Sequence, residues 1–281
     1  MKLIKKLVAT ESRWIPTGKG YSLYVRPTII GTRPGKFLRP TFIQGRCLIS
    51  WLLALAVGAS DHAALYVICS PTGPWVQGAH KAISLLAVDE HVRSWPGGTG
   101  GFKLALNYAP TLLPQEAAAK AGYNQCLWLL GDEKKVTEVG AMNFFIVVKR
   151  DDGAWDVITP PLDGTILPGV TRDSALTLLA AHPSKSVLPG LPETQKVYPQ
   201  EAQLTMADLR KFSEEGRLLE AFGVGTAAIV TAVGRIGFEG KDIILPEHEA
   251  GMGPVANALY NRIIDIQMGD LEWEDWSVVC E

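Results

Sequence analysis

The sequence predicts a mixed α/β fold of the α+β type. Short apolar runs typical of strands and amphipathic or alanine-rich stretches typical of helices follow one another along the whole chain. The chain has 281 residues, of which 47% are hydrophobic, so it is long enough to bury a substantial core. We find no internal repeat and no low-complexity tract in it.

Five apolar runs favour strands, because they are short, rich in β-branched or aromatic residues, and bounded by turn residues. They are Ala64–Pro71, Ile83–Val88, Gln125–Leu130, Asn143–Lys149 and Ala154–Thr159. An Asp-Asp-Gly turn joins the last two runs into a predicted hairpin. A further stretch, Gly223–Val233, is predicted to pass from a glycine-rich turn into a strand.

Helical spacing and end signals predict five helices. The first places Leu3, Ile4, Leu7 and Val8 on one face. The others lie within Ala109–Gly122, begin close to Gly169–Thr171, span Thr205–Gly216, and span about Pro254–Met268. In the fourth helix Thr205 is the predicted N-cap, and Asp208 stands at the capping-box position that glutamate usually occupies.

Charge and composition argue against several classes of protein. The formal net charge is −2 and the basic residues form no stripe, so nucleic acid and anionic membranes are not predicted as partners. The longest apolar run, Cys47–Ala59, is shorter than a membrane helix and predicts a buried helix or strand instead. The four cysteines are scattered without metal-ligand spacing, which favours a reducing compartment and no structural metal.

A glycine-rich segment that leads into one lysine, GGTGGFK at residues 97–103, is the first candidate for chemistry. It differs from a nucleotide-binding P-loop, because the glycine spacing is wrong and no Ser or Thr follows the lysine. Taken alone, the segment also fits a surface lysine after a flexible loop. The other reading is that Lys103 is itself the reactive group.

Three other short segments carry groups that complement such a lysine. Glu138 lies between small and apolar residues just before an aromatic strand, an unusual place for a surface charge. LPGVTR at 167–172 is a turn that leads into a helix, whose free N–H groups can hold an anion. GVGTAA at 223–228 offers bare backbone amides and one hydroxyl. Each segment alone is common in α/β proteins.

Together the four segments supply what pyridoxal 5′-phosphate (PLP) chemistry requires. A lysine forms a Schiff base with the cofactor, and a carboxylate keeps the pyridine nitrogen protonated so that the ring accepts electrons. A helix N-terminus and a hydroxyl hold the phosphate. Spare amides are left for a substrate carboxylate.

The sequence resembles the branched-chain amino acid aminotransferases, a class IV family of PLP enzymes with fold type IV. The resemblance covers nearly the whole chain except for a segment near 35–53. The stretches that carry it are SLYVRPTIIGT, FKLALNYAPT, GYNQCLWLLG, KVTEVGAMNFF, TPPLDGTILPGVTRDS, GVGTAA and a late IQMG followed by tryptophan.

The resemblance implies a role for each matching cofactor residue. Lys103 matches the lysine that carries the cofactor and moves the substrate proton, and Glu138 matches the carboxylate on the pyridine nitrogen. Tyr108 matches the tyrosine at the phenolic oxygen, and Arg93 aligns with an arginine near the cofactor. The residues that match the phosphate ligands are Val170, Thr171 and Thr226.

The resemblance also implies substrate contacts. Tyr24 and Arg26 match residues that line the substrate side, while Thr226 and Ala227 match amide donors to the substrate carboxylate. Ala141 replaces a threonine that is common in the family, so one hydroxyl near the cofactor is absent. The CxxC pair that some members carry after the GTA turn is also absent, and no thiol switch is expected there.

The implied domain organisation is a remnant of the small N-terminal domain at 1–75 and a complete large PLP-binding domain at 76–281. Relative to the family, the chain is expected to lack an N-terminal portion and to carry an insertion near 35–53. Retained intron sequence and a lineage-specific surface loop are both open explanations of that insertion. The family implies a homodimer and a cytosolic or mitochondrial location.

The implied activity is transamination between Leu, Ile or Val and 2-oxoglutarate, which gives branched-chain 2-oxo acids and glutamate. Two alternatives stay open. One is another fold type IV enzyme, either a D-amino acid aminotransferase or an aminodeoxychorismate lyase. The other is a shortened, catalytically impaired member of the family.

Overall fold

A computed structural model describes residues 1–18, 20–32, 41–43, 46–48, 59–73 and 81–280. The chain divides into two compact units, one of Met1–Pro74 with Val278–Glu281 and the other of Trp75–Ser277. Each unit is described by itself. No helix in the described ranges is both long enough and apolar enough to span a bilayer.

The smaller unit begins with helix α1 (Lys2–Thr10), as its sequence spacing predicts. Its main sheet is a ladder of two long antiparallel strands, β1 (Ser22–Gly31) and β4 (Ala63–Thr72), the second of which was predicted. Two short strands, β2 (Thr41–Ile43) and β3 (Arg46–Leu48), pair with each other. Apart from these two strands and Ala59, the proposed insertion near 35–53 and the apolar run Cys47–Ala59 lie outside the described residues.

The larger unit is built on a ring of six strands, which pair in the order β8, β11, β12, β5, β6, β7 and back to β8. Two of its pairings, β12 with β5 and β5 with β6, are parallel, and the others are antiparallel. The six strands are β5 (Ile83–Val88), β6 (Gln125–Leu130), β7 (Lys135–Val139), β8 (Met142–Lys149), β11 (Leu218–Gly225) and β12 (Ile229–Phe238).

Three further strands extend the ring. β9 (Trp155–Thr159) pairs with the second half of β8, and β10 (Val197–Glu201) lies parallel to β9. β13 (Lys241–Ile244) pairs with the far end of β12. Four helices cover the sheet: α2 (Leu112–Lys120), α3 (Val170–Lys185), α4 (Met206–Glu214) and α5 (Pro254–Met268).

The apolar run of β8 is continuous because both of its faces are buried. Phe144 and Ile146 pack into the interior of the ring, whereas Phe145 and Val147 pack on the other face with α3 and α5. The period of two along a strand produces this alternation. Phe145 stacks on Phe222 of β11 with a ring-centroid distance of 5.4 Å.

Most of the predicted elements are confirmed, including the capping box of α4, in which Thr205 and Asp208 exchange hydrogen bonds. The prediction of a glycine-rich turn at the start of Gly223–Val233 is wrong. Gly223 and Gly225 lie inside β11, and the turn follows them at 226–228. A Cβ atom on Gly223 would lie 2.8 Å from Val139 Cγ1, so these glycines admit neighbouring side chains and do not form a turn.

A buried carboxylate supports the start of α5. Gly253, the N-cap residue, has no side chain to accept from the first turn, and Glu220 of β11 does so instead. Its two oxygens accept from Val255 N at 2.9 Å and Ala256 N at 3.0 Å. A Cβ atom at Gly253 would lie 2.2 Å from the Glu220 carboxyl carbon, so glycine is required for this approach.

We expect Glu220→Gln to flatten the pH dependence of stability. Burial raises the pKa of Glu220 from 4.5 to about 7, more than the two amide hydrogen bonds lower it. A carboxyl whose pKa is raised by folding stabilises the protein most at low pH, and that contribution is lost as the pH rises through its folded pKa. The free energy of unfolding of wild type, relative to the variant, should therefore fall between pH 4.5 and about 7.

Urea unfolding at a series of pH values measures this difference, with the exposed Glu214→Gln as the control. Parallel pH profiles for wild type and Glu220→Gln would contradict the assignment.

Candidate active site

Glu138 is a buried carboxyl group at the centre of the candidate site. It lies near the end of β7 with 2% of its surface exposed. One carboxylate oxygen, Oε1, accepts from the backbone N–H of Leu167 at 3.3 Å. The other oxygen, Oε2, is in ion-pair contact with Arg93 Nη1. Within the described ranges neither Oε2 nor Nη1 completes a well-formed hydrogen bond.

The electrostatics of Glu138 are dominated by its burial. Burial raises the pKa of the carboxyl from 4.5 to about 7, and the positive charge of Arg93 is the largest effect in the opposite direction. The Leu167 amide and the charge of Lys103 also lower this pKa. A carboxyl poised near neutral pH in a dry site is typical of functional sites.

The segment around the predicted reactive lysine is a compact loop that Asn107 holds together. The Asn107 amide donates to the carbonyls of Thr99 at 2.9 Å and Phe102 at 2.7 Å, and its oxygen accepts from the Thr99 hydroxyl. Lys103 is exposed on this loop, with its ammonium 5.5 Å from the centre of the Tyr108 ring. The loop is therefore fixed while its lysine stays accessible.

Two glycines bring this loop against the segment that precedes α3. Gly101 N donates to Gly164 O at 3.0 Å. A Cβ atom on Gly100 would lie only 2.2 Å from the carbonyl oxygen of Thr165. These glycines thus permit a close approach of two backbones.

The start of α3 offers donors that the helix itself does not use. Gly169 is its N-cap and provides no side-chain acceptor, so the N–H groups of the first turn have no partner within the helix. Val170 is 82% exposed and Thr171 is half-buried. Buried Arg172 anchors this turn by donating to Pro160 O at 2.9 Å.

Strand register brings the remaining turns to the same end of the ring. Asn143 of β8 pairs with Glu138 of β7 on one side and with Val224 of β11 on the other. The exposed turn that holds Thr226 and Ala227 follows β11 two residues after Val224. The turn that holds Ala141 joins β7 directly to β8.

The structure therefore brings together most of the predicted site residues in the larger unit. Tyr24 and Arg26 lie in the smaller unit, on the same face of β1, with the guanidinium carbon 5.1 Å from the tyrosine ring centre. Asn143 was missed by the sequence reasoning. Its buried side chain donates to Leu167 O at 2.9 Å, and the only sequence signal was a polar residue at the start of a continuous apolar strand.

Comparison with known proteins gives one family match and several similar enzymes. Residues 48–236 match the family described as amino-transferase class IV. A mitochondrial branched-chain-amino-acid aminotransferase of Schizosaccharomyces pombe is 44% identical over 278 residues, which are 99% of this chain and 58% of that protein. The cytosolic enzyme of Saccharomyces cerevisiae is 43% identical over 283 residues, 99% of this chain and 67% of that protein.

Solved structures support the fold. A branched-chain amino acid aminotransferase from Escherichia coli aligns with a TM-score of 0.64 at 22% identity, covering 99% of this chain and 72% of that one. At this level of identity the likeness supports the fold alone. The chain spans 58% to 67% of the length of the two relatives named above.

We expect Gly100→Ala to destabilise the protein by about 1–3 kcal/mol, because the new methyl group would lie 2.2 Å from the backbone carbonyl oxygen of Thr165. Gly101→Ala is the matched control, since its Cβ would lie 3.1 Å from the nearest atom instead of 2.2 Å. Neither glycine has a positive φ, so the collision alone separates the two variants. Urea unfolding measures both, and equal losses would contradict the close approach.

Proposed function

The chain belongs to the amino-transferase class IV family, and from this membership we propose that it is a PLP-dependent branched-chain-amino-acid transaminase. It would interconvert Leu, Ile and Val with their 2-oxo acids, using 2-oxoglutarate and glutamate as the second pair. The observation that carries the proposal is the buried Glu138 carboxylate, which faces Arg93 and the backbone amide of Leu167 beside the lysine loop.

The residues present fit PLP. Among the described residues, Glu138 Oε2 is a buried acceptor that contacts Arg93 and completes no well-formed hydrogen bond, which suits the N–H of a protonated pyridine ring. The uncapped first turn of α3 suits a phosphate, because its N–H groups and the helix dipole both favour an anion. An exposed lysine on a fixed loop suits attachment to an aldehyde.

Lys103 is the proposed catalytic residue. When bound, PLP supplies an electron sink that allows the Cα proton of an amino acid to leave. Lys103 Nζ would hold the cofactor and would carry the substrate Cα proton as a general acid and base. Tyr108 lies under the lysine and is proposed to donate to the phenolic oxygen.

Glu138 and Arg93 are proposed to set the charge at the ring. A carboxylate in a dry site tends to take up a proton, and the adjacent guanidinium opposes that tendency. Arg93 therefore favours the ionised form of Glu138, which could hold a proton on the pyridine nitrogen. Val170, Thr171 and Thr226 are proposed as the phosphate ligands.

The substrate side is proposed from the family match. Thr226 and Ala227, on the exposed turn after β11, would donate hydrogen bonds from their backbone N–H groups to the substrate carboxylate. Ala141 of the β7–β8 turn is proposed as a substrate contact. Tyr24 and Arg26 are proposed as substrate contacts from their family match alone. We propose 76–281 as the PLP-binding domain and 1–75 as part of the small domain, with the cytosol or the mitochondrion as the compartment.

A second copy of the chain is the proposed partner. The larger unit exposes large apolar side chains on the lysine loop and the start of α2, each between 42% and 71% exposed: Phe102, Leu104, Leu106, Leu112 and Leu113. An apolar surface of this kind is typical of an interaction site. A homodimer that covers this segment would also shield the entrance to the lysine.

The decisive test is spectroscopic. Purified protein incubated with PLP should show the absorbance band of the lysine-bound cofactor, and leucine should shift that band. Lys103→Ala should lose both the band and turnover, because no other group on the loop can attach the cofactor. Lys120→Ala, a surface lysine paired with Glu116, is the control and should behave as wild type.

Absence of the band in wild type would support the catalytically impaired member of the family instead. A band that shifts with D-amino acids but not with leucine would support another fold type IV enzyme.

Glu138→Gln should bind PLP but lose turnover by about 10²-fold or more, the range found when one preorganised polar group at a reacting centre is removed. The amide keeps the shape of the side chain and loses the charge that holds the pyridine nitrogen protonated. Initial rates with leucine and 2-oxoglutarate measure the loss, and the exposed Glu133→Gln on the neighbouring turn is the control. Unchanged turnover would remove Glu138 from the mechanism.

A further inference from the structure

Asn143 contacts both sides of the segment that starts α3. Its side chain lies on β8 with 5% of its surface exposed. Nδ2 donates to Leu167 O at 2.9 Å. A Cβ atom on Gly169 would lie only 2.2 Å from Oδ1. Asn143 therefore donates a hydrogen bond at one end, and at the other end it leaves no room for a side chain at position 169.

The same peptide segment is also tied to Glu138. Leu167 N donates to Glu138 Oε1 at 3.3 Å, while Leu167 O accepts from Asn143. Glu138 and Asn143 are direct partners across the β7–β8 ladder. Two adjacent side chains thus bind the backbone N–H and the backbone carbonyl of Leu167. Helix α3, which has no side-chain N-cap, begins three residues later at Val170.

We propose that Asn143 is a positioning residue that fixes the distance between the Glu138 carboxylate and the phosphate-binding turn of α3. The inference rests on the proposed PLP function. The pyridine ring and the phosphate of the cofactor are joined by a short CH2–O linker, so the ring nitrogen and the phosphate can be bound together only if the two protein sites lie within a narrow range of separations. A displacement of about 1 Å in such a site is enough to cost most of its efficiency.

The chemistry of the side chain fits this task. An amide supplies the N–H donor that the buried Leu167 carbonyl needs, and it brings no charge. Aspartate would lack that donor and would add a negative charge beside Glu138 and the phosphate turn. Leucine would fill a similar volume and leave the Leu167 carbonyl without its partner.

Gly169 complements Asn143. Its φ is −72°, a value that alanine adopts without strain, so the backbone does not demand glycine here. Glycine is required because a Cβ atom at this position would lie too close to Asn143 Oδ1. The pair makes a prediction that neither residue makes alone, since adding a methyl group at Gly169 should displace Asn143.

The first test compares PLP affinity in two variants that each lose one buried hydrogen bond to a backbone carbonyl. Asn143→Leu should weaken PLP binding by about 10- to 100-fold, the range for residues that orient a bound group through its direct ligands. Thr159→Val is the matched control, because the Thr159 hydroxyl donates to Phe144 O at 2.7 Å on the neighbouring strand. Wild-type affinity in Asn143→Leu, or an equal loss in Thr159→Val, would overturn the proposal.

A double-mutant cycle tests the steric contact. Gly169→Ala should weaken PLP binding in the wild-type background and should have a much smaller effect when Asn143 is already alanine. Additive effects of Gly169→Ala and Asn143→Ala would show that the two side chains do not act on each other, and would overturn this part of the inference.

Amide hydrogen exchange in the protein without PLP separates this inference from the proposed function. Asn143→Leu should speed exchange at Leu167 N and at Asp173 N, which donates to Gly169 O at 3.1 Å, and Thr159→Val should not. Unchanged exchange at both amides overturns the positioning role even if PLP binds. Faster exchange in a protein that binds no PLP would support the contact and overturn the cofactor assignment.

Discussion

The candidate site depends on how one peptide segment, at Leu167, is held. Its N–H donates to Glu138 and its carbonyl accepts from Asn143, so side chains of the paired strands β7 and β8 bind it. The lysine loop meets the same segment a few residues earlier, at Gly164 and Thr165. A carboxylate, an amine and a helix N-terminus are therefore positioned through one short stretch of backbone.

The closed ring of strands makes this arrangement rigid. β8 pairs with β7 along its first residues and with β9 along its last, and its other edge pairs with β11. Both faces of β8 are buried, so it has little freedom to slide or to twist. Groups placed on strand ends of such a ring keep their separations better than groups carried by loops alone.

The sequence predicted more of the fold than of the site geometry. The helices carried local end signals, such as the Thr205 capping box, and the apolar runs of β5, β6 and β8 were distinct. β7 was not predicted, because Lys135–Val139 has too few apolar residues to stand out, and its pairing is a long-range property. Lys103 and Glu138 were found through their chemistry, whereas Asn143 works through contacts with Leu167 and Gly169 that no local pattern encodes.

Two buried carboxylates show why sequence alone does not separate structural groups from functional ones. Burial raises the pKa of both Glu138 and Glu220 to about 7, and both accept from backbone amides at or just before a helix start. Glu220 has each oxygen bonded to an amide of α5, so its acceptors are satisfied within the fold. Among the residues that the structure describes, Glu138 has one oxygen on a backbone amide and the other in ion-pair contact with Arg93. A buried carboxylate oxygen costs desolvation free energy that an ion pair only partly offsets, and a ligand that donates a hydrogen bond to it would offset more.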